Sequence, residues 1–241
     1  MPRLDDRDRL AALKRTGLLD SPPEEVFDRL TRLASRALSA PVALVSLVDD
    51  HRQFFKSQVG LGEPWAAERQ TPLSHSFCQH VVLSEAPLVV EDAREHPAVC
   101  DNLAIRDLDV VAYAGVPIRL AGGELLGSFC AIDVEPRRWT DAQLDVLRGL
   151  ADAVGAEVEL RLQVDIQSAQ RREAERQRDA ERRRARSVTH DLRSPLSVVV
   201  NGSELLLDHP QLEAQPGLQR IAQLIHRNAV RASRMVERSE E

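Results

Sequence analysis

The chain has 241 residues, of which 43% are hydrophobic and 29% are charged, and this composition is typical of one or two soluble globular domains. The formal net charge of −6 argues against general nucleic-acid binding, because no excess of basic residues can neutralise phosphates. Neither an apolar run of about 18 residues nor a signal sequence is present, so we expect a cytoplasmic protein without a membrane span.

The cysteines do not follow a pattern that predicts a metal site or a disulfide framework. Cys78, Cys100 and Cys130 are an odd number, they are widely spaced, and they form no Cys-x-x-Cys pair. We therefore expect reduced thiols in or near the core, and no bound metal.

The first sixty residues predict two helices and a hairpin. Leucines at helical spacing mark a short amphipathic lead-in within residues 1–20, and a Ser-Pro-Pro sequence then opens a helix that ends before Pro41. Residues 42–48 are apolar on both faces, as in a central strand, and residues 54–59 continue as its hairpin partner.

Residues 61–134 alternate between irregular stretches and short regular elements. The sequence predicts a loop at residues 61–71, a short helix at 74–82 and a strand at 87–91. A second irregular stretch follows at 92–109, and then a hairpin at 110–134. The combined pattern predicts an α+β fold in which helices pack on one mostly antiparallel sheet.

Three segments of this region carry a family resemblance. They read LLDSPPEEVFDRLTRLASRALSAPVALVSLVDDHRQFFKSQVGL, SFCQHVVLSEAPLVVEDAREHPAVCDN and YAGVPIRLAGGELLGSFCAIDVEPR. They resemble the GAF domain, a small-molecule sensor module common in bacterial signalling proteins. The resemblance implies a GAF domain over residues 1–165, with a pocket between the sheet and the two excursions at 61–83 and 92–109.

The resemblance leaves the ligand open, since GAF domains bind cyclic nucleotides, linear tetrapyrroles or haem, or bind nothing. Cys78 lies near His80 as a bilin attachment would need, but Gln79 separates the two residues. His75, His80 and His96 are the candidate haem ligands, in no distinctive context. The Asn-Lys-Phe-Asp-Glu signature of cyclic-nucleotide binding is absent, and we favour a domain without ligand.

A long helix follows, starting from a capping box at Thr140 and Gln143. Its apolar stripe fades from Ser168, and the arginines beyond that point alternate with acidic residues at helical spacing. This pattern favours a solvated, ion-paired face over a DNA-binding one. We expect residues 166–186 to be a charged linker that forms a weak coiled coil between two chains.

Residues 187–207 read SVTHDLRSPLSVVVNGSELLL and predict a helix with one apolar face. That face comprises Val188, Leu192, Leu196, Val199, Ser203 and Leu206. His190, Ser194, Ser197 and Asn201 fall on the other face. A solvated neutral imidazole has a pKa of about 6.5 and is a competent nucleophile near neutral pH.

The string HDLRSPL at residues 190–196 resembles the H-box of sensor histidine kinases. The resemblance implies that His190 accepts a phosphoryl group from ATP and passes it to an aspartate of a response regulator. Asp191 would accept the proton or orient the ring, and Arg193 would contact phosphate or lie in solvent. Ser194 occupies the position where phosphatase-active relatives have Thr or Asn to position water, and Pro195 would loosen the helix.

A second amphipathic helix is predicted from Leu218 to Val236, after a connection at residues 208–217. Two such helices cannot bury both apolar faces alone, whereas two copies can form a four-helix bundle. Residues 187–241 resemble the dimerisation and phosphotransfer (HisKA-type) domain of histidine kinases, which implies a homodimer.

Kinases of this family hold Mg-ATP in a further domain that has asparagine and glycine-rich boxes. Beyond Gly155 the sequence has only two glycines, Gly202 and Gly217, so a glycine-rich phosphate-binding loop is not possible there. The string at 227–231 looks like an asparagine box, but it lies inside the second predicted helix. We therefore expect no cofactor in this chain and no kinase activity of the chain alone. Mg-ATP would reach His190 through an ATPase domain, either in cis beyond Glu241 or in trans.

Two functions remain open at this stage. In the first, the chain is the input and phosphotransfer part of a two-component histidine kinase, whose partners are a second copy, an ATPase domain and the receiver domain of a response regulator. In the second, it is an interaction protein, a GAF domain with a helical bundle that binds signalling partners without being phosphorylated.

Overall fold

The computed structural model describes residues 4–208, 210 and 216–238. The chain divides into two compact units, Met1–Ile166 and Gln167–Glu241. The predicted connection between the last two helices, and the first three residues of the predicted lead-in, lie largely outside the described residues. None of the helices described is both long and apolar enough to cross a bilayer.

The first unit contains short helices and six strands. Its helices are α1 (Arg7–Arg15), α2 (Glu25–Leu38), α3 (Trp65–Glu68), α4 (Cys78–Ser84) and α5 (Ala104–Asp107), with a 3₁₀ turn at Leu73–His75. Its strands are β1 (Val42–Val48), β2 (Arg52–Val59), β3 (Gln70–Pro72), β4 (Leu88–Val90), β5 (Ala112–Arg119) and β6 (Leu125–Asp133). Helix α6 (Asp141–Leu207) begins in this unit and ends in the second, which also contains α7 (Pro216–Arg238).

The strands form one sheet in the order β3-β2-β1-β6-β5-β4, and every neighbouring pair is antiparallel. This confirms the predicted α+β class. All seven residues of β1 are buried, as expected for a central strand that is covered on both faces. At the crossing of β6 with β1 only glycine fits, because a Cβ atom at Gly127 would lie 1.9 Å from the carbonyl oxygen of Ser46.

Each face of the sheet has its own hydrophobic core. Helix α2 and the first turns of α6 cover one face and contribute buried side chains that include Phe27, Leu38, Leu147 and Val154. Helices α4 and α5 cover the other face with Val81 and Ala104, together with Phe77, the residue before α4. The second core is the one that the predicted ligand pocket would occupy.

The predicted start of α6 is confirmed in detail. The Gln143 N–H donates to Thr140 Oγ1 at 3.3 Å, and the Thr140 N–H donates to Gln143 Oε1 at 3.0 Å. These two bonds form the capping box that satisfies otherwise unpaired donors of the first turn.

Two stretches that the sequence predicts as irregular contain regular structure. Residues 61–71 include α3 and most of β3, and residues 92–109 include α5. These elements have four, three and four residues, which is too short for a periodic signal. Strand β3 exists because it pairs with β2, with Thr71 opposite Gln53.

In the second unit, the charged part of α6 has the predicted solvated character. Arg171 Nε lies 3.0 Å from Glu175 Oε1, four residues further along the helix, and Arg176 lies 3.9 Å from Glu173. All four side chains are largely exposed. Ion pairs along one exposed helix account for the alternating charges without a nucleic-acid partner.

The last part of α6 and helix α7 form a helical hairpin with a narrow buried seam. The described residues of this hairpin that are buried are small or polar: Thr189, Ser203, Ala222 and Ala229. Ser203 Oγ also lies 3.0 Å from His226 Nδ1, which joins the two helices by a hydrogen bond.

Candidate functional site

His190 lies on the polar face of α6, and its side chain is 83% exposed. Ser194, Ser197 and Asn201, which share this face, are exposed as well. The exposure follows from helical geometry, because the residue before His190, Thr189, points into the seam with α7 and is buried. The ring of His190 is therefore open to solvent and to a docking protein.

Asp191 is the nearest acidic group to the imidazole among the described residues. Its Oδ1 atom lies 3.5 Å from Nδ1 of His190, and the carboxylate is 76% exposed. This distance is at the limit of a hydrogen bond, so the pair is loosely oriented in this state.

Pro195 lies inside α6, five residues after His190. Because proline has no N–H, the carbonyl of Asp191 loses the donor that a regular helix would supply four residues later. The helix continues through this position to Leu207. The structure thus places one missing backbone bond directly beside the histidine.

Arg193 and Ser194 complete the predicted set, and both lie within about one turn of His190 on the exposed side of α6. Five of the six residues of the HDLRSP string, all except Leu192, are the predicted site residues, and all five are exposed.

His226 provides a contrast within the same hairpin. It is only partly exposed, and its Nδ1 atom contacts Ser203 Oγ in the seam. Two histidines of one hairpin thus have different environments: His190 faces solvent, and His226 joins the helices. Sequence reasoning did not single out His226, although its position among the apolar residues of α7 could have indicated a seam.

The hairpin leaves a second apolar surface uncovered. Seven large apolar side chains that follow helical spacing on the two helices are between 44% and 58% exposed: Val188, Leu192, Val199, Leu206, Leu218, Ile221 and Ile225. We refer to these seven residues as the exposed apolar stripe. The sequence predicts burial for the first four, and the single chain does not supply it, because of the predicted face only Ser203 is buried and only Leu196 is partly buried.

The predicted GAF pocket lies where it was expected, between the sheet and the two excursions. Its lining includes Phe55, Phe77, Cys78 and Tyr113, and the remaining cavity is about 20 Å³. This volume holds about one water molecule, whereas small-molecule sites typically measure about 300–1,000 Å³. In this state the aromatic side chains themselves fill the pocket.

Of the candidate haem and bilin residues, His75 and Cys78 both line this pocket, but both ring nitrogens of His75 have other partners. Cys78 is buried at the start of α4. His75 Nε2 instead contacts Asp107 Oδ2 at 3.1 Å, and His96 Nδ1 accepts a hydrogen bond from the backbone of Ala98 at 3.3 Å. Hydrogen bonds from Arg106 and then His75 lower the pKa of Asp107 to about 2, so this carboxylate is charged near neutral pH.

Comparison with known families matches both units. Residues 22–158 match the GAF domain, and residues 180–240 match the His Kinase A (phospho-acceptor) domain. The second match contains His190 and all of α7.

Individual relatives share the first unit. A cyclic di-GMP phosphodiesterase of Pseudomonas aeruginosa is 37% identical over 134 residues, which are 55% of this chain and 22% of that protein. A Nif-specific regulatory protein of Herbaspirillum seropedicae is 27% identical over 149 residues, or 59% of this chain and 27% of that protein. This chain therefore spans about a quarter of the length of these curated relatives.

Among solved structures, the blue-light absorbing form of the Thermosynechococcus elongatus PixJ GAF domain aligns with a TM-score of 0.49 and 18% identity. The alignment covers 68% of this chain and 95% of that one.

Proposed function

Because the chain belongs to the GAF domain family and carries a phospho-acceptor domain after it, we propose that it relays phosphoryl groups in two-component signalling through His190. The observation that carries this proposal is the 83% exposure of the His190 side chain within the phospho-acceptor match. A phosphoacceptor must be reached in turn by a kinase domain and by a receiver domain, and a buried ring could meet neither.

The chemistry uses the two ring nitrogens differently. When Nδ1 carries the proton and faces Asp191, the lone pair is on Nε2, which attacks the γ-phosphorus of ATP held by a separate ATPase domain. The bond to the bridging oxygen breaks and ADP leaves. Asp191 accepts or shares the Nδ1 proton as positive charge develops on the ring. The phosphoryl group then passes to a carboxylate of the receiver domain.

A homodimer is the second part of this proposal. The exposed apolar stripe runs along both helices of the hairpin, and a second hairpin of the same kind would cover it. A four-helix bundle buries these seven side chains and keeps His190 outside, because the histidine lies on the opposite face of α6.

The test is phosphoryl transfer in trans. The chain is incubated with Mg-ATP and an isolated histidine-kinase catalytic domain, and acid-labile, base-stable label is measured. We expect label on the wild type and on His226→Gln, and none on His190→Gln. Label that persists in His190→Gln would overturn the assignment. An unlabelled wild type, under conditions that label a known hairpin substrate, would favour the interaction protein that is never phosphorylated.

A further inference from the structure

Two cysteines that play no part in phosphoryl transfer meet inside the first unit. Cys78 Sγ lies 3.7 Å from Cys130 Sγ, and both residues are at most 1% exposed. Neither forms a disulfide in this structure. The sulfur atoms are thus in van der Waals contact, and a bond between them requires an approach of roughly 1.6 Å, to the usual length of about 2.05 Å.

The two sulfurs are held by different elements of the fold. Cys130 lies in the middle of β6, between Leu44 of β1 and Gly115 of β5. Cys78 is the first residue of α4, which covers the same face of the sheet. The sheet therefore fixes the position of the Cys130 sulfur, and helix α4 places the Cys78 sulfur next to it.

Tyr113 supports the pair from the side. Its hydroxyl lies 3.2 Å from Cys78 Sγ and 3.3 Å from Ser128 Oγ. It fills the space over Gly115, where a Cβ atom would come within 2.1 Å of the hydroxyl oxygen. The phenol is thus positioned as a hydrogen-bond donor to the sulfur of Cys78.

These contacts give the two thiols different pKa values. Burial alone would raise the pKa of Cys78, but hydrogen bonds from Cys130 and then Tyr113 outweigh burial and lower the pKa to about 7. Burial, followed by the hydrogen bond and charge of Cys78, raises the pKa of Cys130 well above its usual value. Cys78 is therefore the more acidic thiol of the pair, and Cys130 is the one that holds its proton more tightly.

A small reactant has room beside both sulfurs. The cavity of about 20 Å³ that remains of the GAF pocket is lined by Cys78 and by Cys130. This space holds about one water molecule, so hydrogen peroxide, which is larger by one oxygen atom, needs only a small displacement of the lining, whereas bulky disulfides such as oxidised glutathione are excluded.

We propose that Cys78 and Cys130 are a peroxide-oxidised dithiol, a redox modification site within the GAF domain. The Cys78 thiolate attacks one peroxide oxygen, the O–O bond breaks, and the released hydroxide takes a proton to become water. The sulfur of Cys130 then attacks the sulfenic acid on Cys78. The S–O bond breaks, the proton of Cys130 leaves with hydroxide as a second water, and a disulfide remains.

Closing this bond changes the second core. The sulfur atoms of Cys78 and Cys130 must approach each other, and the hydroxyl of Tyr113 loses the thiol of Cys78 that it contacts in the reduced state. Oxidation therefore alters the lining of the GAF pocket, where a sensory domain of this fold would register a signal. This inference does not depend on the role of His190.

The test is thiol mapping of the full chain. Reduced protein is exposed to hydrogen peroxide, denatured, alkylated with N-ethylmaleimide and digested, and cross-linked peptides are identified by mass spectrometry. In Cys100→Ser, which removes the exposed cysteine, we expect a Cys78–Cys130 cross-link that dithiothreitol reverses. We also expect Cys130→Ser to accumulate a sulfenic acid on Cys78 that dimedone traps.

Two outcomes would overturn the proposal. One is that the folded Cys100→Ser chain forms no Cys78–Cys130 cross-link at peroxide concentrations that oxidise Cys100 in the wild type. The other is that dimedone labels Cys100 but not Cys78 in the Cys130→Ser variant.

Discussion

The ammonium group of Lys56 is buried inside the first unit, with no exposed side-chain surface. Its Nζ atom donates to the carbonyl oxygen of Pro22 at 2.8 Å and to Glu24 Oε1 at 2.5 Å. The other oxygen of Glu24 lies 2.5 Å from Arg161 Nη1, on α6. One carboxylate thus joins the segment before α2, strand β2 and helix α6.

Glu24→Gln should destabilise the first unit, because it leaves the buried ammonium of Lys56 without a counterion. Breaking a buried pair typically costs about 3–5 kcal/mol, and the partial exposure of Glu24 and Arg161 reduces our expectation to about 1–3 kcal/mol. Urea unfolding of the full chain measures the difference. The matched control is Glu25→Gln, which breaks an exposed pair with Arg32 and should change stability by at most about 0.5 kcal/mol. Equal effects of the two variants would contradict this account.

The carboxylate of Glu24 should also make the stability of the first unit depend on pH. Burial raises the pKa of Glu24, but hydrogen bonds from Lys56 and Arg161 outweigh burial and lower it. A lowered pKa in the folded state stabilises the fold above the unfolded value of about 4.3, and this contribution is lost as the pH falls through the folded value. The stability difference between wild type and Glu24→Gln should therefore shrink below about pH 4. A difference that stays constant down to pH 2 would contradict the ion-pair explanation.

The missing N–H of Pro195 leads to a prediction about the stability of the helix backbone beside His190. Replacing it with alanine restores the N–H that bonds the Asp191 carbonyl and removes a penalty of up to about 3 kcal/mol in a helix interior. Amide hydrogen exchange over residues 187–195 should slow in Pro195→Ala. Leu196→Ala, which removes packing and leaves the backbone donors unchanged, should not slow exchange. If Pro195→Ala left exchange unchanged, proline would not be the cause of local loosening.

Sequence reasoning located residues whose environment depends on near neighbours in the chain. It missed residues whose contacts are distant in sequence. His190 was predicted on an exposed face because helical periodicity is local and decides which side of α6 each residue faces. The sulfur pair could not be predicted, because Cys78 and Cys130 are separated by 52 positions and meet only when α4 covers β6. Lys56 looks like a strand residue among hydrophobic neighbours, and its partner Glu24 precedes a different element.

At the scale of elements, the hairpin of α6 and α7 has one covered seam and one uncovered stripe. The seam contains small residues such as Ala222 and Ala229 and the hydrogen bond of His226 with Ser203. Small residues bury little apolar area, and the stripe carries the larger aliphatic side chains. Most of the hydrophobic stabilisation available to this hairpin therefore comes from covering the stripe.

Leu206→Asp should dissociate the proposed homodimer, because Leu206 belongs to the exposed apolar stripe and a buried, unpaired carboxylate would be costly. Leu205→Asp is the matched control, since Leu205 is 73% exposed and points about 100° away around the helix. Sedimentation velocity over a range of protein concentrations distinguishes the two. We expect a dimer for the wild type and Leu205→Asp, and a monomer for Leu206→Asp. A monomeric wild type, or dissociation by both variants alike, would contradict a dimer built on the stripe.

The short elements show why the fold could be predicted only in part. Strands β1, β5 and β6 have seven to nine residues and carried clear signals, so the central sheet was predicted correctly. Strand β3 has three residues and depends on its pairing with β2. Strand β3 therefore forms because it pairs with β2, and its own short sequence does not predict it.

At the scale of the whole molecule, the chain joins a compact α+β unit to a helical unit. The first has two hydrophobic cores, one on each face of a single sheet. The second has a narrow seam and an uncovered stripe. The first unit therefore buries its apolar side chains within one chain, whereas the second leaves its stripe exposed, and we propose that a second copy covers it.

The central claim is that His190 carries the phosphoryl group, and the most direct measurement is to locate that group in the wild-type chain. After incubation with Mg-ATP and an isolated histidine-kinase catalytic domain, the chain is digested at alkaline pH, and electron-transfer fragmentation identifies the phosphorylated residue. We predict a phosphoramidate on His190 and an unmodified His226. A phosphoryl group found on His226, on Ser194 or on any residue other than His190 would contradict the account.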